Sequence, residues 1–532
     1  MLINAAAAIE LHKKEINDLN VFPVPDGDTG TNMSLTMGAG AKAIAESAPH
    51  TISNAAEITA SSLLRGARGN SGVILSLLFR GFAKYLKDYE SADAATFASA
   101  LLSGVDAAYK AVMKPAEGTI LTVSRVIASS AVEFSETESD VEALLEHILS
   151  VGYAALAETT NQNAVLKKAG VVDAGAKGYI YILDGMLKAL RGEIIEVTQD
   201  AAEISDSAVF SDFDTQDITF MYCTEFIVGR ETKKDPLLLR DFLDNLGDSL
   251  VVVDDDEIIK VHVHTNDPGT ALTEALTYGS LLTVKIENMK EQHTEKVFGE
   301  GQMPEPEAGE AEPEKQYGVV AVCAGDGIAS VFNDLGVDNI VSGGQTMNPS
   351  TDDILRRINA TPSETVIVLP NNKNIIMAAE QCIPLTGKNV IVVPSKSIPQ
   401  GISAMLSFDA TAPEEENTET MRAAVKNVHT ALITYAARDS EYDGHSIHEG
   451  EYLALLDDAL IVSTEDLSAA IEAIATAING FAPEFITVFS GEDVPESETE
   501  DVVSKFSTVI PGAETTAIFG GQPVYRFIIS AE

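Results

Sequence analysis

The chain has 532 residues, of which 81 are acidic and 35 are basic, so its formal net charge is -46. This length exceeds what one hydrophobic core serves and predicts about three or four domains. So acidic a surface repels nucleic-acid phosphates and anionic lipid headgroups, which excludes nucleic-acid binding and peripheral membrane attachment as main roles.

The cysteine count and the hydropathy pattern indicate a cytoplasmic protein. The three cysteines are widely spaced and odd in number, which favours a reducing compartment over a disulfide framework. No apolar run approaches the ~20 residues of a membrane span, so we expect no integral membrane association. The opening MLINAAAAIE is followed at once by LHKKE, which is not typical of a secretory signal. A lipid substrate would therefore have to arrive on a carrier.

Two carboxylates near the start of the chain form the main candidate site. In NVFPVPDGDTGTNM, residues 20–33, Asp26 and Asp28 flank Gly27. A curved backbone would let both converge on one hard cation such as Mg²⁺, which prefers oxygen ligands and keeps places for phosphate and water. An ordinary Asp-Gly turn is the alternative interpretation. The length of the whole string favours the metal site.

Small residues before two predicted helices could hold phosphate. One set follows Asp28, and the other lies in GARGNSGVILSLLF, where a plain connecting turn is an equally good interpretation. Backbone amides at a helix start favour bound phosphate. The candidate nucleotide-binding residues are Thr29, Gly30, Thr31, Asn32, Asn70, Ser71 and Gly72.

The string at residues 20–33 closely resembles the signature of the ATP-binding subunit of dihydroxyacetone kinases. The wider chain resembles the catalytic subunit of bacterial fatty acid kinase, including the later stretches GGQTMNPS and PNNKN. The resemblance implies ATP and Mg²⁺ as cofactors. Dihydroxyacetone kinases have a third aspartate ahead of Asp-Gly-Asp, whereas this chain has Asn20, which we keep as a weaker Mg²⁺ ligand through its amide oxygen.

The resemblance also implies that two further loops border the nucleotide. One is MKPAEGTILTV, in which Thr119 can cap the following helix. The other is VVDAGAKGYIYILDG, in which Asp173 and Gly175 correspond to an Asp-Pro-Gly-type loop of the family. Ala174 replaces the proline of that loop.

The order of patterns predicts a multidomain protein. Helical spacing predicts an all-α kinase domain at residues 1–195, and the resemblance implies an antiparallel helical barrel. Strand patterns predict a small α+β middle domain at 212–300, followed by a flexible acidic linker at 301–315. Alternating strands and helices predict an α/β C-terminal domain at 316–532, expected to bind a partner. Its loops GDG, SGGQTMNPS and PNNKN should gather on one sheet edge.

The predicted middle domain contains a candidate zinc site. His262 and His264 are two apart in a predicted strand, so they share one face, and Cys223 lies on another strand. One thiolate and two imidazoles suit Zn²⁺, although this loose spacing fits a plain polar face equally well. The fatty acid kinase resemblance includes all three residues and favours zinc.

These features predict an ATP-dependent kinase. By the resemblance, it phosphorylates the carboxylate of a fatty acid presented by a separate fatty-acid-binding carrier protein, giving acyl phosphate and ADP. One alternative is a dihydroxyacetone-type kinase of small polyols, which tethers its substrate through a histidine that we do not find here in a comparable setting. Another is a non-catalytic, nucleotide-responsive regulator. A homodimer would suit the kinase, although no heptad run specifies one.

Overall fold

The computed structural model describes residues 1–20, 28–47, 49, 51–112, 115–195, 222–230, 232, 234, 236–244, 246–254, 258–288, 310–344, 347–442 and 445–532. It divides into two units, Met1–Thr198 together with Ala308–Glu532, and Gln199–Glu307. Asp26, one of the two predicted metal-binding carboxylates, lies outside the described residues. Among the helices that are described, none has the length and hydropathy needed to cross a membrane.

The first unit begins with a series of helices. They are α1 Leu2–Leu11, α2 Lys13–Asn17, α3 Thr29–Ser47, α4 Ile52–Gly66, α5 Gly69–Tyr85, α6 Ala94–Ala111, α7 Ile120–Ser135, α8 Val141–Gln162, α9 Ala164–Ala169 and α10 Ala174–Leu190. Short polar side chains start many of them, because their oxygens accept hydrogen bonds from otherwise unpaired first-turn amides. Such caps are Thr51, Asp93, Thr119, Asp140, Asn163 and Asp173.

The first turns of four helices lie at one end of this helical region. Gly72 of α5 packs against Thr36 of α3, and Gly178 of α10 packs against Met33. The first turn of α10 in turn contacts Ile120, the first residue of α7. The amino ends of α3, α5, α7 and α10 are therefore neighbours, which favours an anion at this end of the region.

The second unit contains an antiparallel sheet and two helices. Its elements are β1 Tyr222–Gly229, α11 Pro236–Asp244, β2 Gly247–Asp254, β3 Ile258–Thr265, α12 Pro268–Ala275 and β4 Leu281–Asn288. The strand order is β2-β3-β1-β4. Alternate strand residues such as Phe226, Val228, Val261 and Val263 are buried beneath the helices, which explains the apolar alternation of these segments.

The rest of the first unit is an α/β region. It comprises β5 Lys315–Cys323, α13 Asp326–Asp334, β6 Asn339–Ser342, α14 Thr351–Ala360, β7 Ser363–Leu369, α15 Ile376–Cys382, β8 Asn389–Val392, α16 Ile398–Leu406, α17 Glu414–Asn427, β9 His429–Tyr435, β10 Ser440–Tyr442, β11 His445–Ile447, β12 Tyr452–Leu456, β13 Ala459–Thr464, α18 Leu467–Asn479, β14 Phe485–Gly491, α19 Glu496–Val509, β15 Glu514–Gln522 and β16 Phe527–Ala531.

Two sheets organise this region. The first is parallel with strand order β6-β5-β7-β8, as its Val/Ile-rich strands predict. The second has the order β13-β12-β9-β16-β14-β15. Only its β14–β15 pair is parallel, so the parallel rhythm expected from the sequence does not continue through the last part of the chain. Short hairpin connections there permit antiparallel pairing.

The helical region and the parallel sheet share one hydrophobic core. Helices α14 and α15 cover one face of the sheet and pack against α4 and α5. The amide of Thr351 donates to the carbonyl of Ala67 at 3.1 Å, and Arg68 forms a bridge with Ser350. Helix α13 covers the opposite face of the sheet. Together these contacts fix the carboxyl edge of the parallel sheet beside the amino ends of α3 and α5.

Candidate functional site

A cleft of about 300 Å³ lies between the helical region and the parallel sheet. Its helical wall includes six residues that the sequence singled out, namely Asn20, Asp28, Thr29, Asn32, Asn70 and Ser71. The facing wall is built by loops at the carboxyl ends of β5 to β8 and includes Ala324, Gly343, Gly344, residues 370–374, Lys396 and Ser397. Loops from distant parts of the chain thus meet around one volume.

Asp28 is held from both walls. It is partly buried immediately before α3, and its backbone carbonyl accepts from the amide of Asn32 at 2.8 Å. Its carboxylate accepts a hydrogen bond from the Asn348 side chain, which is only 2% exposed. The carbonyl of Asn348 accepts from Arg68 Nη1 at 2.8 Å. A carboxylate anchored in this way keeps a fixed direction for a second ligand.

The first amides of α3 are already capped by the protein. Asn17 Oδ1 accepts from the amide of Gly30 at 2.7 Å and from the amide of Thr31 at 3.2 Å. Asn17 Nδ2 donates to Thr31 Oγ1 at 3.0 Å. The two amides expected to meet phosphate therefore bond to a side chain of the preceding helix. The sequence offers no signal for this cap, because Asn17 lies in a different helix from the amides that it caps.

Asn20 orders the entrance of the Asp28 loop. Its Oδ1, the atom considered as a weak metal ligand, accepts from Thr29 Oγ1 at 2.8 Å. Its backbone carbonyl accepts from Arg438 at 2.8 Å, which ties the loop to the C-terminal region. An amide oxygen has two acceptor positions, so this bond leaves one of them for another donor or a cation.

Asn70 presents an unused acceptor to the cleft. Its Nδ2 donates to Asn374 Oδ1 at 3.3 Å, across the two walls. Its Oδ1 is buried and has no partner within the described residues, which is costly unless a ligand donates to it. The preceding Gly69 has φ +56°, and a Cβ there would lie 2.5 Å from Asn32 Nδ2. Only glycine therefore permits this close approach.

Thr119, Asp173 and Gly175 form a separate group at the same end of the helical region. Thr119 caps α7 at 3.3 Å, and Asp173 caps α10 by accepting from the amide of Ala176 at 2.8 Å. Burial raises the pKa of Asp173 to about 6, although amide hydrogen bonds from Ala176 and Ile120 act to lower it. None of these three residues lines the cleft itself, and Gly72 packs behind its helical wall.

The predicted zinc ligands lie on adjacent strands of the second unit. The register pairs Cys223 of β1 with His264 of β3, and Glu225 with His262. Partners in an antiparallel pair belong to the same face of the sheet. The side chains of Cys223, His262 and His264 are outside the described part of the structure. Among the side chains that are described, no cluster of three metal-binding groups occurs.

Sequence reasoning missed how closely the C-terminal loops approach the kinase loop. Asparagines after strands, in TMNPS and PNNKN, were the available signal, and Asn348, Asn372 and Asn374 all reach the cleft or its anchors. The GDG loop, which was expected on the same edge, does not line the cleft. It packs against Phe519 and Gly520 of β15, because its glycines allow direct backbone contact.

Three protein families match this chain. The DAK2 domain matches residues 23–188, the FakA-like middle domain of fatty acid kinase matches 219–296, and the FakA-like C-terminal domain matches 318–532. Protein YloV of Bacillus subtilis is 39% identical, with 100% of this chain and 98% of that protein aligned. An uncharacterized protein of Staphylococcus saprophyticus is 40% identical over the same shares.

Similar solved structures match parts of the chain. The dihydroxyacetone kinase of C. freundii is 19% identical with a TM-score of 0.27, covering 35% of this chain and 33% of that one. The Streptococcus pneumoniae fatty acid kinase B3 protein, loaded with linoleic acid, is 9% identical with a TM-score of 0.31, covering 41% and 99%. The full-length relatives and the domain order show that this chain belongs to the FakA-like family of fatty acid kinases, with a helical DAK2 domain at its amino end.

Proposed function

We propose that this protein transfers the γ-phosphoryl group of ATP to the carboxylate of a fatty acid, and that a separate fatty-acid-binding carrier protein presents that acid. The single observation that carries the proposal is the cleft in which the anchored carboxylate of Asp28 faces a wall of asparagine and lysine side chains. Family membership supports the use of ATP.

Magnesium is the cation that suits the helical wall. The donors available there are carboxylate and amide oxygens, which hard cations prefer. Asp28 and Asp26 would hold the ion, with Asn20 as a weaker third ligand. Bound Mg²⁺ would bridge phosphate oxygens and offset the charge of the transferred group.

The remaining chemistry requires positioning more than proton transfer. A carboxylate oxygen of the acceptor attacks the γ-phosphorus, the bond to the β–γ bridging oxygen breaks, and ADP leaves with that electron pair. The acceptor is ionised at neutral pH, so no general base has to remove a proton. Asp28 would orient the phosphates, while Asn32, Asn70 and Ser71 would exclude water and direct the nucleotide.

The other sequence-derived sites enter the proposal as supporting elements. Thr119, Asp173 and Gly175 would border the nucleotide at the shared end of α3, α7 and α10. Cys223, His262 and His264 would hold Zn²⁺ in the middle domain, because their strands are adjacent and pair Cys223 with His264. We keep the proposed division into a kinase domain at 1–195, a middle domain at 212–300, a linker at 301–315 and a partner-binding domain at 316–532.

A small-polyol kinase is a weaker candidate. Dihydroxyacetone kinases hold their substrate through a histidine, and the described residues that line the cleft include none. A non-catalytic regulator would not need the anchored carboxylate.

Three assays of ADP release by the purified full-length chain separate these functions: the chain alone, with dihydroxyacetone, and with the fatty-acid-loaded carrier. Hydroxylamine converts an acyl phosphate to a hydroxamate, which mass spectrometry identifies. We expect release and hydroxamate only with the loaded carrier. Release with dihydroxyacetone, or no release in any of the three assays, would contradict the proposal.

A further inference from the structure

The sheet-side wall of the cleft has the construction of a ligand site in its own right. In the order β6-β5-β7-β8, the chain leaves β5 towards β6 through α13 on one face and leaves β7 towards β8 through α15 on the other. The strand order therefore reverses between β5 and β7. Ligands of open parallel sheets bind at the carboxyl ends beside such a reversal. Ala324 after β5 and residues 370–374 after β7 line the cleft at that place.

Two asparagines make this wall rigid. The buried Asn371 donates from Nδ2 to the carbonyl of Val322 at 2.9 Å, and its Oδ1 accepts from Ser395 Oγ at 2.7 Å. Asn372 donates to the carbonyl of Gly344. The ends of all four parallel strands are thus tied together before any ligand arrives. Preorganisation of this kind lowers the cost of binding.

The charge on this wall comes from two lysines in different states. Lys373 is neutralised by Asp458 at 2.7 Å. Lys396, exposed at the end of β8, lines the same cleft, and no carboxylate within the described residues lies at ion-pair distance from its amine. In a protein of net charge -46, an ammonium group available in a cleft is a specific attraction for an anion.

We propose that this wall is an oxyanion subsite in which the Lys396 ammonium binds a carboxylate or a phosphate group. Two sources could supply that anion, the acceptor carboxylate and the phosphates of the nucleotide, and one lysine suits both. Since the Asp28 wall is assigned to the nucleotide, we expect the acceptor carboxylate. This last step rests on the proposed function, whereas the existence of an oxyanion subsite does not.

Protection from chemical labelling tests the subsite without an activity assay. The full-length chain is treated with limiting acetic anhydride, and mass spectrometry compares Lys396 with Lys426, an exposed lysine of α17 that does not line the cleft. Octanoate, inorganic phosphate and Mg-ADP are the probes. We expect octanoate and phosphate to slow labelling of Lys396 several-fold and to leave Lys426 unchanged. Protection by Mg-ADP without protection by octanoate would support the subsite and assign it to the nucleotide.

The variant Lys396→Met supplies a second readout. We expect kcat/KM for the loaded carrier to fall by about ten- to hundredfold, as for loss of one charge-assisted hydrogen bond, with an unchanged thermal midpoint. Lys426→Met should change neither. Equal labelling of Lys396 and Lys426 with every probe, in samples that still bind Mg-ADP by calorimetry, would overturn the subsite alone. Failure of the wild-type chain to bind Mg-ADP would instead remove the proposed function.

Discussion

The side-chain amide of Asn348 donates a hydrogen bond to the carboxylate of Asp28, which joins two residues 320 positions apart. Asn348 is in turn fixed by Arg68, whose guanidinium also lies 3.5 Å from Asp353 near the start of α14. The C-terminal region therefore shapes a carboxylate that belongs to the DAK2 domain. This relationship makes the kinase site composite.

Removing the Asn348 amide should loosen metal and nucleotide binding. Asn348→Ala leaves the carboxylate of Asp28 without its buried donor, and we expect the dissociation constant of Mg-ADP to rise about tenfold, the usual effect of losing an outer-sphere partner. Calorimetry of Mg-ADP binding measures this. Asn417→Ala is a matched control, because Asn417 is also 2% exposed and hydrogen-bonded but lies in α17, away from the cleft. Equal affinities for the two variants would contradict the role of Asn348.

Two glycines of α3 should respond in opposite directions to alanine. A Cβ at Gly30 would lie 2.2 Å from the backbone carbonyl of Lys13, so Gly30→Ala must displace α2 and its Asn17 cap. We expect a loss of about 1–3 kcal/mol in the free energy of unfolding. Gly38→Ala meets nothing within 4 Å and should stabilise the helix by up to ~1 kcal/mol. Denaturant unfolding followed by helical circular dichroism compares them, and a stable Gly30→Ala variant would be inconsistent with this packing.

Asp173 should make stability depend on pH. Burial raises its pKa from 3.8 to about 6, so the folded state holds this proton more tightly than the unfolded state. Its contribution to stability is therefore greatest below about pH 4, falls as pH rises to about 6, and is constant above that. The difference corresponds to at most about 3 kcal/mol.

The variant Asp173→Asn isolates this effect, because asparagine caps a helix as well as aspartate but carries no charge. We expect its thermal midpoint to exceed that of the wild type at pH 8, with a smaller advantage at pH 5. Asp140→Asn, at the exposed cap of α8, serves as the control. An advantage of Asp173→Asn that does not change with pH would show that the carboxylate titrates normally.

Zinc content tests the middle domain. If Cys223, His262 and His264 bind zinc, the wild-type chain should contain about one Zn²⁺ per chain, and Cys223→Ser should lose most of it. Elemental mass spectrometry of protein prepared without added metal gives the ratio. Cys382→Ala is the control, because burial raises the pKa of Cys382 to about 12 and keeps its thiol from ligating a metal. Unchanged zinc in Cys223→Ser would remove the site.

Local patterns predicted much of the architecture. Helical periodicity and capping residues indicated the helices of the amino-terminal region, and Val/Ile runs indicated the parallel sheet. Cys323 and Cys382 were expected in the core and are buried there. These features depend on residues close together in sequence, where propensity and periodicity act directly.

What the sequence could not show depends on pairs of residues far apart. The Asn17 cap on α3, the Asn348 bond to Asp28 and the close contact of Gly327 with Phe519 each follow from how elements pack in space. Glycine and asparagine occur at all of these contacts, but their presence alone does not identify a partner. The composite nature of the cleft therefore required the structure.

Binding of Mn²⁺ together with ADP, followed by electron paramagnetic resonance, tests the kinase site most directly. Mn²⁺ replaces Mg²⁺ at oxygen ligands, and Asp28→Asn keeps an acceptor for Asn348 while removing the charge that would bind the metal. We expect the wild-type chain to bind Mn²⁺ tightly enough to be detected only when ADP is present, and Asp28→Asn to weaken this binding at least about tenfold without lowering the thermal midpoint. Equal Mn²⁺ affinity in the wild type and the variant would contradict the assignment of Asp28 as a metal ligand.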